Sequence, residues 1–247
     1  MVELPCTRAI ALVTDFGGSG PYVGQLKLRL ASLSPGSRVI ELVSDLPPFR
    51  PDLSAYLLPA IVRDLPKGTV YLCVVDPGVG GQRVALAVEA DGCWFVGPDN
   101  GLLSIVARRA RQARVLRVDW RPLRISASFH GRDLFAPVAA MLAAGQSPTA
   151  QAIDAGSIAG ADWPDELARV IYVDHYGNLM TGLRASSLQR DTVLGIRGLE
   201  LRFARTFCEV PQDTAFWYEN AFGLVELAVN KGEACGVLGL GVGDPVC

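Results

Sequence analysis

Short apolar runs alternate with helix-like segments over the first two thirds of the chain. Strands are predicted at AIALVT (9–14), SRVIELV (37–43), TVYLCVV (69–75), RVALAVEA (83–90) and CWFVG (93–97). Helices are predicted at PYVGQLKLRLASL (21–33), PDLSAYLLPAIVRDL (51–65), NGLLSIVARRAR (100–111) and GRDLFAPVAAMLAAG (131–145). Continuous apolar strands in alternation with helices are typical of a covered parallel sheet. We therefore expect an α/β N-terminal domain over residues 1–160, with a largely parallel sheet flanked by helices.

The pattern changes near residue 165 to strand-like runs separated by Gly, Pro, Asp and Asn turns. These runs are LARVIYVD (167–174), TVLGIRG (192–198), LELRFARTF (199–207), AFWYE (215–219) and GLVELAVN (223–230). They predict a smaller all-β C-terminal domain over residues 166–247. The segment AGSIAGADWPDE (155–166) is the expected link between the two domains.

Composition narrows the function classes. Half of the 247 residues are hydrophobic and 19% are charged, which indicates a well-buried globular protein. A net charge of -2 without a basic run argues against a nucleic-acid partner. The longest uncharged run, residues 134–153, contains two prolines, so no membrane span is expected, and no basic-then-apolar signal precedes it. We expect a cytoplasmic protein.

The cysteines and histidines give no sign of a metal site. The six cysteines, at positions 6, 73, 93, 208, 235 and 247, form no tight pair, and there are only two histidines. Reduced thiols of a cytoplasmic protein, with no bound metal, are the expectation.

Polar, glycine-containing loops follow or precede several predicted elements: TDFGGSG (14–20), VVDPGVGGQR (74–83) and SFHGRD (128–133). Ligands of open α/β sheets bind outside the carboxyl ends of the strands. Asp15 lies at such an end, where a carboxylate can accept two hydrogen bonds from a ribose diol; the alternative is a cap on the next helix. The DFG tripeptide at 15–17 also occurs in protein kinases, but the other kinase motifs are absent.

Asp76, Arg83 and His130 occupy the other two loops. A carboxylate, a guanidinium and an imidazole can together orient a water molecule, accept its proton and hold the resulting negative charge. The alternative is a structural ion pair of Asp76 with Arg83, beside a histidine that caps a helix. The second histidine, His175, is expected to be a solvated turn residue. The loop aromatics Phe49 and Tyr176 could stack on a base or could close the core from above.

Taken together, these segments resemble the S-adenosylmethionine hydroxide adenosyltransferase family, whose relatives include fluorinating and chlorinating adenosyl enzymes. The matching segments are TDFG…PYVGQLK, DLPPF, VVDPGVG, FVGPDNGLLS, FHGRDLFAPVAA, DHYGN and FGLVELAVNKGEA, in order over nearly the whole chain. The resemblance implies a barrel-like C-terminal domain and a homotrimer with active sites between neighbouring subunits. It also implies that water displaces methionine from S-adenosylmethionine to give adenosine and methionine.

The resemblance assigns roles to individual residues. Asp76, Arg83 and His130 match the family's water-activating triad, and Asp15 would bind the ribose hydroxyls. In the C-terminal domain Asn178 would contact the adenine side and Asp174 would shape the same pocket. Phe49 and Tyr176 would flank the nucleoside.

The chemistry fits these residue types. The leaving group departs as a neutral thioether, so the demand is for a proton acceptor for water, and no metal or redox cofactor is required. The halogenating relatives lack the triad, and the fluorinating ones carry an added loop for which the segment 83–100 has no room. Hydrolysis is therefore expected, with a halogenase or a nucleoside-binding module without turnover as alternatives.

Two positions depart from the family pattern. Gly20 stands where family members commonly have an acid, and Ala221 where they commonly have a serine. Both positions are expected near the methionine end of the substrate, where each loss removes a polar contact. Tyr22, Asn220 or backbone groups could substitute, or the chain could prefer another adenosyl substrate.

Overall fold

The structure, a computed structural model, describes residues 8–246. Cys6 and Cys247 lie outside the described residues. The cysteines that the structure describes are all free thiols: Cys73, Cys93, Cys208 and Cys235.

Two compact units make up the described chain. The first contains the residues up to 55 together with 65–163, and the second contains 56–64 together with the residues from 164 onward. Each unit has its own sheet and its own hydrophobic core.

The sheet of the first unit has seven strands, in the spatial order β2-β1-β3-β5-β4-β6-β7. They are β1 (Ile10–Thr14), β2 (Val39–Val43), β3 (Val70–Val74), β4 (Ala85–Ala90), β5 (Cys93–Pro98), β6 (Ala113–Val118) and β7 (Ala150–Ile153). The pairs from β2 to β5 are parallel, whereas β4 runs antiparallel between β5 and β6, and β7 is antiparallel to β6. Five strands thus share one direction, and the expected largely parallel sheet is confirmed.

Helices pack on this sheet through apolar stripes. They are α1 (Tyr22–Leu33), α3 (Ser104–Arg109) and α4 (Ala136–Ala143), the last preceded by a π-helical turn, Gly131–Phe135. The residues of a further helix, α2 (Pro51–Ile61), are divided between the two units. Leu26 and Leu30, one turn apart on α1, are buried in the same cluster as Leu12 of β1 and Val138 of α4. None of the described helices is both long and apolar enough to cross a bilayer.

The second unit is built on a six-stranded sheet, in the order β10-β11-β12-β13-β9-β8. Its strands are β8 (Leu167–Val173), β9 (Leu179–Arg184), β10 (Leu194–Ile196), β11 (Leu199–Phe203), β12 (Ala215–Glu219) and β13 (Leu224–Val229). Neighbouring strands are antiparallel except β11 and β12. The fully buried Trp217 belongs to its core, and one short helix, α5 (Ala234–Leu238), accompanies the sheet. The expectation of a smaller all-β C-terminal domain is confirmed, with α5 as a short addition to the sheet.

Candidate active site

One edge of the first sheet gathers the predicted polar residues. Asp15 directly follows β1 and Asp76 follows β3, and because these strands are parallel neighbours, their carboxyl ends lie at the same edge. Arg83 precedes β4, which is antiparallel to β5, so the beginning of β4 also lies at that edge. The topology therefore places Arg83, which precedes its strand, at the same edge as Asp15 and Asp76, which follow their strands.

Asp76, Arg83 and His130 form one hydrogen-bonded group. Arg83 Nε donates to Asp76 Oδ1 at 2.8 Å, and Arg83 Nη2 donates to Asp76 Oδ2. The same Nη2 lies 3.0 Å from His130 Nδ1. The side chains of Arg83 and Asp76 are only 11% and 4% exposed, and the guanidinium lies over the ring of Phe135. The ion pair that we considered as an alternative is present, and the histidine joins it.

The partner of His130 determines its tautomer. A guanidinium only donates hydrogen bonds, so Nδ1 accepts and the proton of the neutral ring is on Nε2. Burial lowers the pKa of His130, and the positive charge of Arg83 lowers this pKa further. The side chain of His130 makes no capping hydrogen bond to the turn that follows it. A neutral His130 therefore offers Nε2–H as a donor, and the carboxylate oxygens of Asp76 are the acceptors of the group.

The loop that carries Asp76 and Arg83 is fixed by close backbone contacts. Gly80 has a positive φ of 83°, and a Cβ at this position would lie 2.5 Å from the carbonyl oxygen of Ala127. Asn100 Nδ2 donates to the carbonyl of Val75 at 2.8 Å, next to Asp76. These contacts explain why the loop contains glycine where it approaches the segment before His130.

The backbone at Phe49 holds the side chain of Asp15 in place. The backbone N–H of Phe49 donates to Asp15 Oδ2 at 3.0 Å, and Phe49 adopts a φ of 62°, which is unusual for a bulky residue. Burial raises the pKa of Asp15, while the hydrogen bond from Phe49 opposes this rise. Helix α1 is capped at Pro21, so Asp15 is not its cap. Its second oxygen, Oδ1, can accept from a ligand.

A cavity of about 370 Å³ connects these groups. It is lined by Asp15, Phe49, Asp76 and His130, with Arg83 bonded to the last two. Phe16 and Phe129, which the sequence analysis did not identify, also line it. Each is the direct neighbour of a predicted site residue, and this adjacency was the available signal.

The three remaining predicted residues lie in the turn between β8 and β9 of the second unit. Asp174 Oδ1 accepts from the backbone N–H groups of Tyr176 and Asn178 at 2.9 and 2.8 Å, and Oδ2 accepts from Asn178 Nδ2 at 2.9 Å. Asn178 is buried, whereas Tyr176 is 73% exposed. The three residues line a cavity of about 640 Å³ in this unit. His175 is exposed in the same turn, with its ring edge against Tyr176.

A buried carboxyl group that the sequence analysis missed lies near this second cavity. Glu226 of β13 is 2% exposed and accepts hydrogen bonds from the Tyr218 hydroxyl and from Asn220 Nδ2, the latter at 2.7 Å. Tyr218 is one of the residues that line the cavity. Burial raises the pKa of Glu226. Its signal was one acid within an otherwise apolar strand, LVELAV.

Within residues 8–246, no three His, Cys, Asp or Glu side chains are grouped so as to hold a metal ion.

Two family models match the chain. The model of the SAM hydroxide adenosyltransferase N-terminal domain matches residues 10–152, and that of the corresponding C-terminal domain matches residues 168–247.

Individual proteins are similar over almost their full length. An (R)-S-adenosyl-L-methionine hydrolase of Thermus thermophilus is 38% identical, with 97% of this chain and 98% of the relative covered. One of Salinispora arenicola is 37% identical, with 96% of each covered. A fluorinase of an Actinoplanes species is only 23% identical over 90% of each chain. The crystal structure of a conserved protein of Thermotoga maritima is similar with a TM-score of 0.84, 29% identity and coverage of 95% and 97%.

Proposed function

Because the chain belongs to the SAM hydroxide adenosyltransferase family, we propose that it hydrolyses S-adenosyl-L-methionine to adenosine and L-methionine. The observation that carries this proposal is the hydrogen-bonded group of Asp76, Arg83 and His130 at the wall of a cavity that Asp15 also lines. The enzyme is a SAM hydrolase.

The reaction is a displacement at the 5' carbon of the ribose. The oxygen of a water molecule forms a bond to this carbon while the carbon–sulfur bond breaks and its electron pair moves to sulfur. Asp76 accepts the proton that the water loses, and His130 Nε2–H donates to the water oxygen and orients it. Arg83 holds the other two side chains in place and balances the charge of the carboxylate. The sulfur leaves as the neutral thioether of methionine.

Binding places the substrate for this attack. Asp15 Oδ1 accepts from the ribose hydroxyls, and Phe49 lies against the nucleoside. The attacking oxygen must lie in line with the carbon–sulfur bond, about 3–3.5 Å from the carbon. Hydroxide and sulfonium cancel each other's charge as they react, and a cavity of low polarity strengthens their attraction.

The same group argues against halide as the nucleophile. A halide ion needs no proton acceptor, and the carboxylate of Asp76 would repel it from the wall of the cavity. The strands β4 and β5 are joined by a tight turn at Asp91 and Gly92, both with positive φ, so no added loop is present there.

Further properties belong to the proposal. The enzyme is a homotrimer with active sites between neighbouring subunits. In these sites Asn178 contacts the adenine side, Asp174 shapes the same pocket, and Tyr176 flanks the nucleoside. The free thiols of the described cysteines support a cytoplasmic location. The displacement transfers no electrons and leaves a neutral thioether, so the enzyme uses no cofactor.

The test is product analysis in ¹⁸O-labelled water. The purified protein is incubated with S-adenosyl-L-methionine, with and without chloride or fluoride. The products are then separated by chromatography and identified by mass spectrometry. We expect adenosine that carries the label at its 5' hydroxyl, together with methionine. A 5'-halo-nucleoside as the main product would establish a halogenase, and adenosine binding without any product would establish a binding module.

A further inference from the structure

Three aromatic rings form one wall of the cavity in the first unit. Phe16, Tyr22 and Phe129 all line it, and their ring centroids are 5.4–5.9 Å apart in every pair. The rings of Tyr22 and Phe129 are nearly perpendicular, at 86°. We refer to these three residues as the aromatic wall.

The aromatic wall is packed against the backbone at Gly131, although one of its rings is open to solvent. A Cβ at Gly131 would lie 3.4 Å from Phe16 and 3.5 Å from Phe129, so the backbone is packed against both rings. Phe129 is 8% exposed, whereas Tyr22 is 51% exposed. An aromatic side chain held in an edge-to-face contact yet half exposed at a cavity has an apolar face available for a ligand.

The charge around the cavity favours a cation. Asp15 and Asp76 line it, and no lysine or arginine is among the lining residues that the structure describes. Arg83 lies behind Asp76 and is already paired with it. One carboxylate of the two is therefore without a countercharge at the cavity, and a cationic ligand would supply one.

We propose that the aromatic wall binds the sulfonium centre of the substrate, and that Tyr22 is a specificity residue that distinguishes the sulfonium from a neutral thioether. This inference rests on the proposed function and names the part of the substrate that the wall recognises. The face of an aromatic ring attracts a cation but not an uncharged sulfur to the same degree. The attraction weakens when the sulfonium becomes a thioether, which favours release of methionine. The contact with the aromatic wall also gives the substrate an attractive interaction in a chain whose Gly20 supplies no carboxylate.

Calorimetry with a charged and a neutral ligand tests the proposal. S-adenosyl-L-methionine and S-adenosylhomocysteine are titrated into the full chain carrying Asp76→Asn, which slows turnover, with Tyr22 intact or changed. We expect Tyr22→Leu to weaken binding of the sulfonium ligand roughly 3- to 30-fold, with the affinity for the thioether unchanged within about twofold. Tyr22→Phe keeps the ring and should bind both ligands like the intact protein. Leu28→Ala, at an exposed position of the same helix α1, is the matched control and should change neither.

Each of the other possible outcomes contradicts a specific part of the proposal or of the proposed function. Equal weakening of both ligands by Tyr22→Leu would show ordinary packing, and loss in Tyr22→Phe would show that the hydroxyl is the contact; either result overturns the proposal. If the enzyme with Asp76 intact releases no adenosine, the proposed function fails. The comparison of the two ligands remains decisive for the aromatic wall in that case, because it measures binding and not turnover.

Discussion

Asp76 combines a buried position with two hydrogen bonds from Arg83, so an asparagine can replace its shape but not its ability to accept a proton. We expect Asp76→Asn to lower kcat by about 10²- to 10⁴-fold, the usual contribution of a general base. The Kd for adenosine should change little, because Asp15 and Phe49 remain. Turnover by chromatography and adenosine binding by calorimetry separate the two effects.

A second carboxylate–guanidinium pair supplies the control. Asp52 accepts from Arg50 at 2.8 and 2.6 Å at the beginning of α2, and neither residue lines the cavity. Asp52→Asn should leave kcat unchanged. If it lowered kcat as much as Asp76→Asn, the loss would reflect a broken ion pair and not a missing base.

Phe49 shows local strain at a binding position, since its φ of 62° is unfavourable for any residue with a side chain. Phe49→Gly and Phe49→Ala both remove the ring and should raise KM to a similar extent. The glycine variant should be more stable than the alanine variant by about 1 kcal/mol, because only glycine adopts this φ without cost. Steady-state kinetics and chemical denaturation measure the two quantities. Equal stability of the two variants would contradict the assigned strain.

His130 gives the site a pH dependence of known sign. The neutral ring accepts from Arg83 at Nδ1, so protonation places two donors against each other and disrupts the group. The pKa of His130 lies below its ordinary value of 6.5 because of burial and the charge of Arg83. We expect kcat to be constant near neutral pH and to fall only as the pH drops below 6.5, towards the lowered pKa.

The stability of the fold should follow the same direction. Between the lowered pKa and 6.5 the unfolded chain binds a proton that the folded chain does not, so the free energy of unfolding falls as the pH falls through this window. His130→Asn should show a weaker fall in melting-temperature measurements over the same pH range. A wild-type stability that increased on acidification through this window would contradict the assigned tautomer.

At the scale of elements, the loop between β3 and β4 must touch the segment before the π-helical turn Gly131–Phe135. Gly80→Ala would place a Cβ 2.5 Å from the Ala127 carbonyl in a backbone conformation that favours glycine. We expect a loss of stability of about 1–3 kcal/mol, and a loss of activity as Arg83 moves away from His130. Denaturation and turnover assays measure both.

Gly78 in the same loop is the matched control. A Cβ there meets nothing within 4 Å, and its φ is outside the left-handed region. Gly78→Ala should keep the stability and the activity of the wild type. If both substitutions behaved alike, the contact with Ala127 would have no special role in forming the site.

At the scale of the whole molecule, the proposed trimer can be tested by combining two inactive variants in one oligomer. Sedimentation should give a mass of three chains of 26.4 kDa. Chains with Asp76→Ala and chains with Asp174→Ala, each expected to be inactive alone, are co-expressed and purified through two tags. If sites form between neighbouring subunits, one of the three sites in each mixed trimer carries both native residues and restores about a third of the activity. Mixed trimers without activity would contradict sites shared between subunits.

The sequence correctly predicted those structural features that depend on a single strand or helix. The apolar runs at β1, β3 and β5 are buried on both faces and predicted the largely parallel sheet. The strands β6 and β7 were missed because half-exposed runs such as AQAI have no clear period. Glycine at position 182 obscured β9, where a Cβ would meet Leu167 of the paired strand.

The sequence by itself identified Asp15, Asp76, Arg83 and His130 as candidate site residues and β1, β3 and β5 as buried strands, because residue type and local period are properties of short segments. Only the tertiary structure decided that Arg83 meets Asp76 and His130, since this depends on β4 running antiparallel to β5. It also decided that residues 56–64 belong with the second unit and that three aromatic rings line one cavity. Contacts between distant segments depend on strand direction and close backbone approach, and neither is encoded in the pattern of any one segment.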